Sequence, residues 1–170
     1  MPSEKRKVWF AQTVEEKKHS LYRVALTMLR STADAEDAVS DAVEATWRQL
    51  DNIRIDQALP AYLIRSTINA CHANLRKRKR ETAADNLEPF LPPMQTETPV
   101  WMYLSGLKDK YRLPLMLRFS ENMRDEEIAV VLRIPRGTVS SHISRGLNIL
   151  RKQIEKEEKN KLIVDDERMK

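Results

Sequence analysis

A proline at position 135 divides the most strongly patterned part of this chain into two helices that cannot merge. Proline has no backbone N–H to offer a helix, its ring crowds the preceding turn, and the residue before it is pushed out of the helical region. Upstream of the break a short helix with an acidic start carries Ile128, Ala129, Val131 and Leu132. Downstream of Ile134-Pro135-Arg136-Gly137, the apolar residues Val139, Ile143, Leu147, Leu150 and Ile154 recur at helical spacing. The opposite face of this second helix carries Arg136, Thr138, Ser140, Ser141, Ser144, Arg145 and Asn148. Such a face is short, hydroxyl-rich and cationic, which suits the major groove of duplex DNA. A plain surface hairpin of helices would show the same break, but it would not require the second basic segment that lies upstream.

The rest of the chain reads as helix too. Its three glycines all fall after position 105, and sustained alternation of the β type is absent. A first helix over about Val14 to Arg30 has the stripe Leu21, Val24, Ala25, Met28 and Leu29. Ser31-Thr32 opens a second, with Asp34, Glu36 and Asp37 in its first turn, where acids face the positive end of the helix dipole. Its buried side is Ala35, Ala38, Val39, Ala42, Val43, Thr46 and Leu50. After a loop from Asp51 to Leu59, Pro60 starts a third helix with the stripe Ala61, Ile64, Ile68, Cys71 and Leu75. The expected fold is all-α: a three-to-four-helix N-terminal bundle and a C-terminal helix-turn-helix domain on a flexible linker.

The domain boundaries follow from composition. Residues 1–81 form the first unit, and residues 82–99, with Pro89, Pro92, Pro93 and Pro99 among polar residues, form the linker. The second unit covers residues 100–157, opening with Leu104, Leu107, Tyr111, Leu115 and Phe119 at helical spacing. Residues 158–170 are a charged tail, expected to fray by Asp165.

Several functions are excluded at this level. His19, His72 and His142 lie in different segments, and Cys71 sits on an apolar stripe, so neither a catalytic constellation nor a metal site is expected. No glycine-rich phosphate loop is present, and no cofactor is expected. One cysteine leaves no internal disulfide and fits a reducing cytoplasm. The N-terminus lacks the apolar core of a signal peptide, and no run is long enough to span a membrane, so no membrane insertion is expected.

Net charge is only +5, so its distribution matters more than its total. The dense cationic block is Arg76-Lys77-Arg78-Lys79-Arg80, at the end of the third helix. One or two cations would satisfy the negative helix terminus. Five suit a phosphate backbone and predict salt-dependent binding. Trp47, Tyr62, Asn69 and Asn74 lie where they can either stack on and bond to unpaired bases or serve the core.

Taken together, the two halves resemble bacterial RNA polymerase sigma factors. The segment from Leu21 to Arg80, with ADAEDAV at Ala33 to Val39 and Trp47, resembles their second region. The segment from Gly106 to Lys152, with Ile134-Pro135, Gly137-Thr138-Val139, is similar to their fourth. Two regions with only a short linker between them point to the extracytoplasmic-function group. The resemblance implies a protein without activity alone, which binds core RNA polymerase and directs it to promoters. It assigns Asp34, Glu36, Asp37 and Asp41 to docking on the polymerase. The third helix and its preceding loop would recognise and hold open the minus-ten element, with Arg76, Arg78, Lys79 and Arg80 gripping the melted strand. The helix from Arg136 would read the minus-thirty-five element as duplex through Arg136, Thr138, Ser140, Ser141, His142, Ser144, Arg145 and Asn148. An anti-sigma factor is implied as a further partner.

Some positions depart from the family's pattern. Arg133 replaces the usual glycine before Ile134-Pro135, and Ser140 and His142 stand where Lys and Arg are common. Ser40, Val43 and Ala73 replace a common Gln, Phe and Asp. If position 133 is left-handed, its side chain costs about 1 kcal/mol. A stand-alone helix-turn-helix repressor or activator is the alternative, but a dimer of that kind needs an apolar interface. No leftover apolar helix supplies one, so no homo-oligomer is expected.

Overall fold

The computed structural model describes residues 1–54, 58–81, 103–104 and 106–169, and every regular element among them is helical. Helix α1 spans Glu4–Leu29. The Ser3 hydroxyl accepts from the Arg6 N–H (3.4 Å), and the helix closes at Arg30, whose left-handed backbone (φ 53°) lets its N–H reach the Leu26 carbonyl. The helix begins ten residues before the stripe around Val14, because Phe10 is buried and the Thr13 hydroxyl bonds the Trp9 carbonyl. The apolar residues here, Val8 to Ala11, are contiguous rather than helically spaced and so give no period to read.

Helix α2, Thr32–Arg48, is capped by Ser31, whose hydroxyl accepts from the Asp34 N–H at 3.3 Å. It buries Ala35, Ala38, Ala42 and Thr46. Side chains this small let its axis lie close to its neighbours. A 3₁₀ turn, Leu50–Asn52, leads toward helix α3, Leu59–Glu81, which buries Leu59, Leu63, Ile64, Thr67, Ile68 and Cys71. The three helices pack against one another in pairs, and the Thr46 hydroxyl ties α2 to Ser66 of α3.

The linker expected over residues 82–99 lies outside the described residues, as do residues 100–102. The C-terminal half consists of α4 (Asp109–Phe119), α5 (Asp125–Leu132) and α6 (Arg136–Arg168). The Glu127 carboxylate accepts from the Arg124 N–H at 2.7 Å, which fixes the start of α5. At Arg133 the backbone is left-handed (φ 56°, ψ 44°), the conformation the departure from glycine puts at issue. It breaks α5, and α6 then begins after Pro135. Helix α6 buries Val139, Ile143 and Gly146 rather than the whole expected stripe; Leu147 and Ile154 are well exposed. Packing at Gly146 is tight: a Cβ there would lie 2.6 Å from Leu115 Cδ1 and 3.3 Å from Tyr111 Cβ, so the Leu115 side chain would have to shift. Helix α6 also continues to Arg168, beyond the fraying expected at Asp165. Glu155–Lys159 and Glu157–Lys161 have the i, i+4 spacing and order that support an exposed helix.

The two halves touch, α1 against α4 and α3 against α5. Arg23 pairs with Glu121 at 2.9 Å, with the Glu121 side chain only 6% exposed, and the Thr27 hydroxyl meets the Met116 sulfur at 3.1 Å. An apolar cleft of about 210 Å³ lies between them, walled by Met28, His72 and Leu75 on one side and Leu113, Pro114 and His142 on the other.

The left-handed Arg133 generates a stability prediction. Arg133→Gly removes the Cβ strain and is expected to stabilise the fold by about 0.5–1 kcal/mol. Urea unfolding would register this as a raised midpoint at unchanged slope, and a lowered midpoint would contradict the assignment.

Candidate nucleic-acid interface

Helix α6 presents its polar residues unevenly. Ser141, Ser144, Arg145 and Asn148 fall on the side opposite Val139, Ile143 and Gly146, with Ser144, Arg145 and Asn148 exposed and Ser141 partly so, while Thr138, next to Val139, is a partly exposed residue at the edge of that face. Arg136, at the helix start, is exposed and pairs with Glu126 of α5 at 3.2 Å. Two other residues of the expected face sit on its flanks. The Ser140 hydroxyl donates to Asp125 at 2.7 Å, joining α6 to the start of α5. His142 packs edge-on against Tyr111 (centroids 5.6 Å apart) and lines the cleft between the halves, its Nδ1 buried without a partner. Lys110 lies over the Tyr111 ring at 4.9 Å. Hydrogen bonding from Lys110, and then from Arg145, lowers the Tyr111 pKa.

The basic end of α3 is likewise divided. Arg76, Lys79 and Arg80 are exposed. Arg78 instead turns back onto the bundle, donating to the Leu29 carbonyl (3.1 Å) and pairing with Asp34. It therefore caps the C-terminus of α1 while holding the first turn of α2. This joins one residue expected to bind polymerase to another expected to bind DNA. The other α2 acids assigned to polymerase docking, Glu36, Asp37 and Asp41, are exposed.

A groove of about 730 Å³ runs between α2 and α3. Its lining includes the alanines Ala38, Ala42, Ala45, Ala70 and Ala73, of which Ala38 and Ala42 are buried and Ala45 and Ala73 exposed. Hydrogen-bonding and charged groups line it too: Arg48, Gln49, Tyr62, Asn69 and Lys77, with Asp37 and Asp41. Small apolar residues beside amide, aromatic and cationic groups can take an unpaired base and its phosphate. Trp47 lies outside this groove's lining; its ring packs edge-on against Phe10, 5.2 Å between centroids. Sequence reasoning missed Arg6 and Gln49 here, because isolated polar residues outside a periodic pattern carry no signal of their own.

No group of three or more His, Cys, Asp or Glu among the described residues is placed to hold a metal ion. Cys71 is fully buried, and desolvation pushes its thiol up to about 12. No described helix is long and apolar enough to cross a membrane.

Comparison with known proteins accounts for both halves. Residues 13–81 match the family model for sigma-70 region 2, and residues 103–152 match that for sigma-70 region 4. The ECF RNA polymerase sigma factor SigW of Bacillus subtilis is 26% identical over 165 residues, covering 85% of this chain and 88% of that protein. SigM of Mycobacterium tuberculosis is 30% identical over 143 residues, covering 81% and 72%. Among solved structures, the sigma factor RpoE of Bartonella quintana, in complex with the anti-sigma factor NepR, superposes with a TM-score of 0.75 at 22% identity over 86% of this chain and 96% of that one. CnrH, in complex with the cytosolic domain of CnrY, gives 0.65 at 23% identity over 86% and 87%.

The Cys71 environment yields a direct test. The native thiol is expected to resist iodoacetamide at pH 8 and to react readily once urea unfolds the chain. The unfolded thiol ionises near 9.0 and the folded one near about 12, so this group's contribution to stability is complete below pH 9 and is lost as pH rises through that window. Rapid alkylation of the native protein would contradict the burial.

Proposed function

The chain belongs to the extracytoplasmic-function group of RNA polymerase sigma factors, non-catalytic subunits that direct promoter-specific transcription initiation, and we propose that it divides this task between its two halves. The observation that carries the reading is the pair of separate polar, cationic surfaces: the α2–α3 groove with the end of α3, and the outer face of α6. The groove and the turn before α3 take the melted strand of the minus-ten element, with Arg76, Lys79 and Arg80 along its backbone. Arg145, Asn148, Ser144, Ser141 and Thr138 enter the major groove of the minus-thirty-five element, and Arg136 anchors the start of that helix. Glu36, Asp37 and Asp41 dock on a basic surface of core polymerase; Asp34 and Arg78 hold the helix that presents them.

The two promoter elements lie about 25 base pairs apart, ~85 Å along B-form DNA. Helix α6 alone runs ~50 Å over its 33 residues, and its DNA-facing residues lie in its first half, packed against α4 and α5. Holding both elements at that separation releases the contacts between the halves, including Arg23–Glu121. An anti-sigma factor is the proposed regulator. Support comes from the solved relatives RpoE and CnrH, whose structures are complexes with NepR and with the cytosolic domain of CnrY, and from the apolar cleft between the halves. The site of action is the cytoplasm, where core polymerase works. A stand-alone repressor would leave residues 13–81 without a purpose.

Two substitutions test the division of labour. Asp37→Lys is expected to weaken binding to core polymerase about tenfold while the helical circular dichroism signal stays the same; an unaltered affinity removes Asp37 from that interface. Arg145→Ala should weaken binding to a minus-thirty-five duplex by about 1–3 kcal/mol and leave core binding intact. Loss of both activities together would show that Arg145 supports the fold instead.

A further inference from the structure

The first helical turns of α1, residues 4–12, precede the portion of the chain that matches region 2, yet they reach across to the turn that leads into α3. Arg6 makes the contact. Its Nη2 donates to the carbonyls of both Leu50 and Ile53, each at 2.5 Å. Leu50 opens the 3₁₀ turn Leu50–Asn52 and Ile53 follows it; the Leu50 carbonyl also accepts from the Ile53 N–H at 3.3 Å, so the guanidinium clasps the turn from both ends. The surroundings are tight: Leu50 and Ile53 are buried, and Arg6 Nε is itself buried without a partner. Phe10, one helical turn further on, packs against Trp47 just before the same turn.

The turn then determines where the groove's rim sits. The Asn52 side chain donates to Gln49 Oε1 at 2.8 Å, and Gln49 lines the α2–α3 groove beside Arg48 and Tyr62. Arg6 thus fixes the turn, the turn orients Gln49, and Gln49 forms the mouth of the groove. We propose that Arg6 is a positioning residue for minus-ten recognition, holding the groove's mouth in shape to receive an unpaired base. It touches no DNA in this scheme. The inference rests on the reading of the groove as the strand-binding surface.

The test uses holoenzyme reconstituted from core polymerase and the full chain. Its probe is a fluorescent single-stranded oligonucleotide carrying the minus-ten sequence of a promoter found by start-site mapping, together with single-base variants of it. Arg6→Ala is expected to weaken binding about tenfold and to flatten discrimination among the variants. Core affinity and binding to a minus-thirty-five duplex should stay within about twofold of the unmodified chain. Arg6→Lys should restore most of the affinity, because one nitrogen makes both bonds and an ammonium carries three donors. Full affinity and discrimination in Arg6→Ala would overturn the proposal, as would equal losses of oligonucleotide, core and duplex binding, which mark a purely structural residue. A different result, absence of any base preference in the unmodified holoenzyme, would overturn the reading of the groove itself.

Discussion

Helix α2 meets its neighbours through Ala35, Ala38 and Ala42, all essentially inaccessible to solvent, and much of the molecule depends on that close approach. Side chains of one carbon carry little apolar area, so the packing of Val39 and Val43 beside them is supplemented by polar ties at the helix ends. Ser31 caps its first turn, Arg78 reaches Asp34 there, and the Thr46 hydroxyl bonds Ser66 near the other end. Between α2 and α3 there remains a groove lined in part by alanines. The same arrangement turns Glu36, Asp37 and Asp41 outward. One packing choice therefore supplies both a surface for a basic partner and a surface for unpaired bases.

The C-terminal half solves its packing with backbone instead of side chains. Arg133 takes the left-handed conformation that ends α5, and Pro135 forbids the helix from resuming until α6. Gly146 lets α6 approach Leu115 and Tyr111 of α4. Together these set the face of α6 that carries Arg145 and Asn148 away from the core. The cleft between the halves is walled by residues from both, and the Glu121 carboxylate of one half, its side chain 6% exposed, pairs with Arg23 of the other. A charge buried on one half and paired from the other makes the closed arrangement sensitive to anything that separates them.

Where long periodic stripes exist, the sequence is sufficient. The stripe of α1, the start of α2 at its serine cap, and the break at Ile134-Pro135 are each readable because spacing, cap and proline act locally. The all-helical class and the sigma-factor family follow from the same residues. What was not legible is long-range. Arg78 looks like one of five equivalent cations until α1 brings the Leu29 carbonyl and α2 brings Asp34 beside it. Ser140 and His142 share the spacing of a DNA-facing set, but a 100° step per residue places them on its flanks, against Asp125 and Tyr111. Leu147 and Ile154 fit the apolar stripe by number, yet the crossing of α6 over α4 centres burial on Gly146, a residue with no side chain to signal it. Arg6 acts on carbonyls 44 and 47 residues away, beyond any local pattern.

The central claim is that this chain confers promoter choice on a polymerase that lacks it. Run-off transcription with core polymerase on host genomic DNA, with and without the chain, tests it most directly when the 5′ ends are mapped. Discrete start sites that depend on the chain and share two upstream sequence elements, ~85 Å apart along B-form DNA, are expected. Absence of any chain-dependent start, with binding to duplex DNA retained, would contradict it and leave a stand-alone DNA-binding protein in its place.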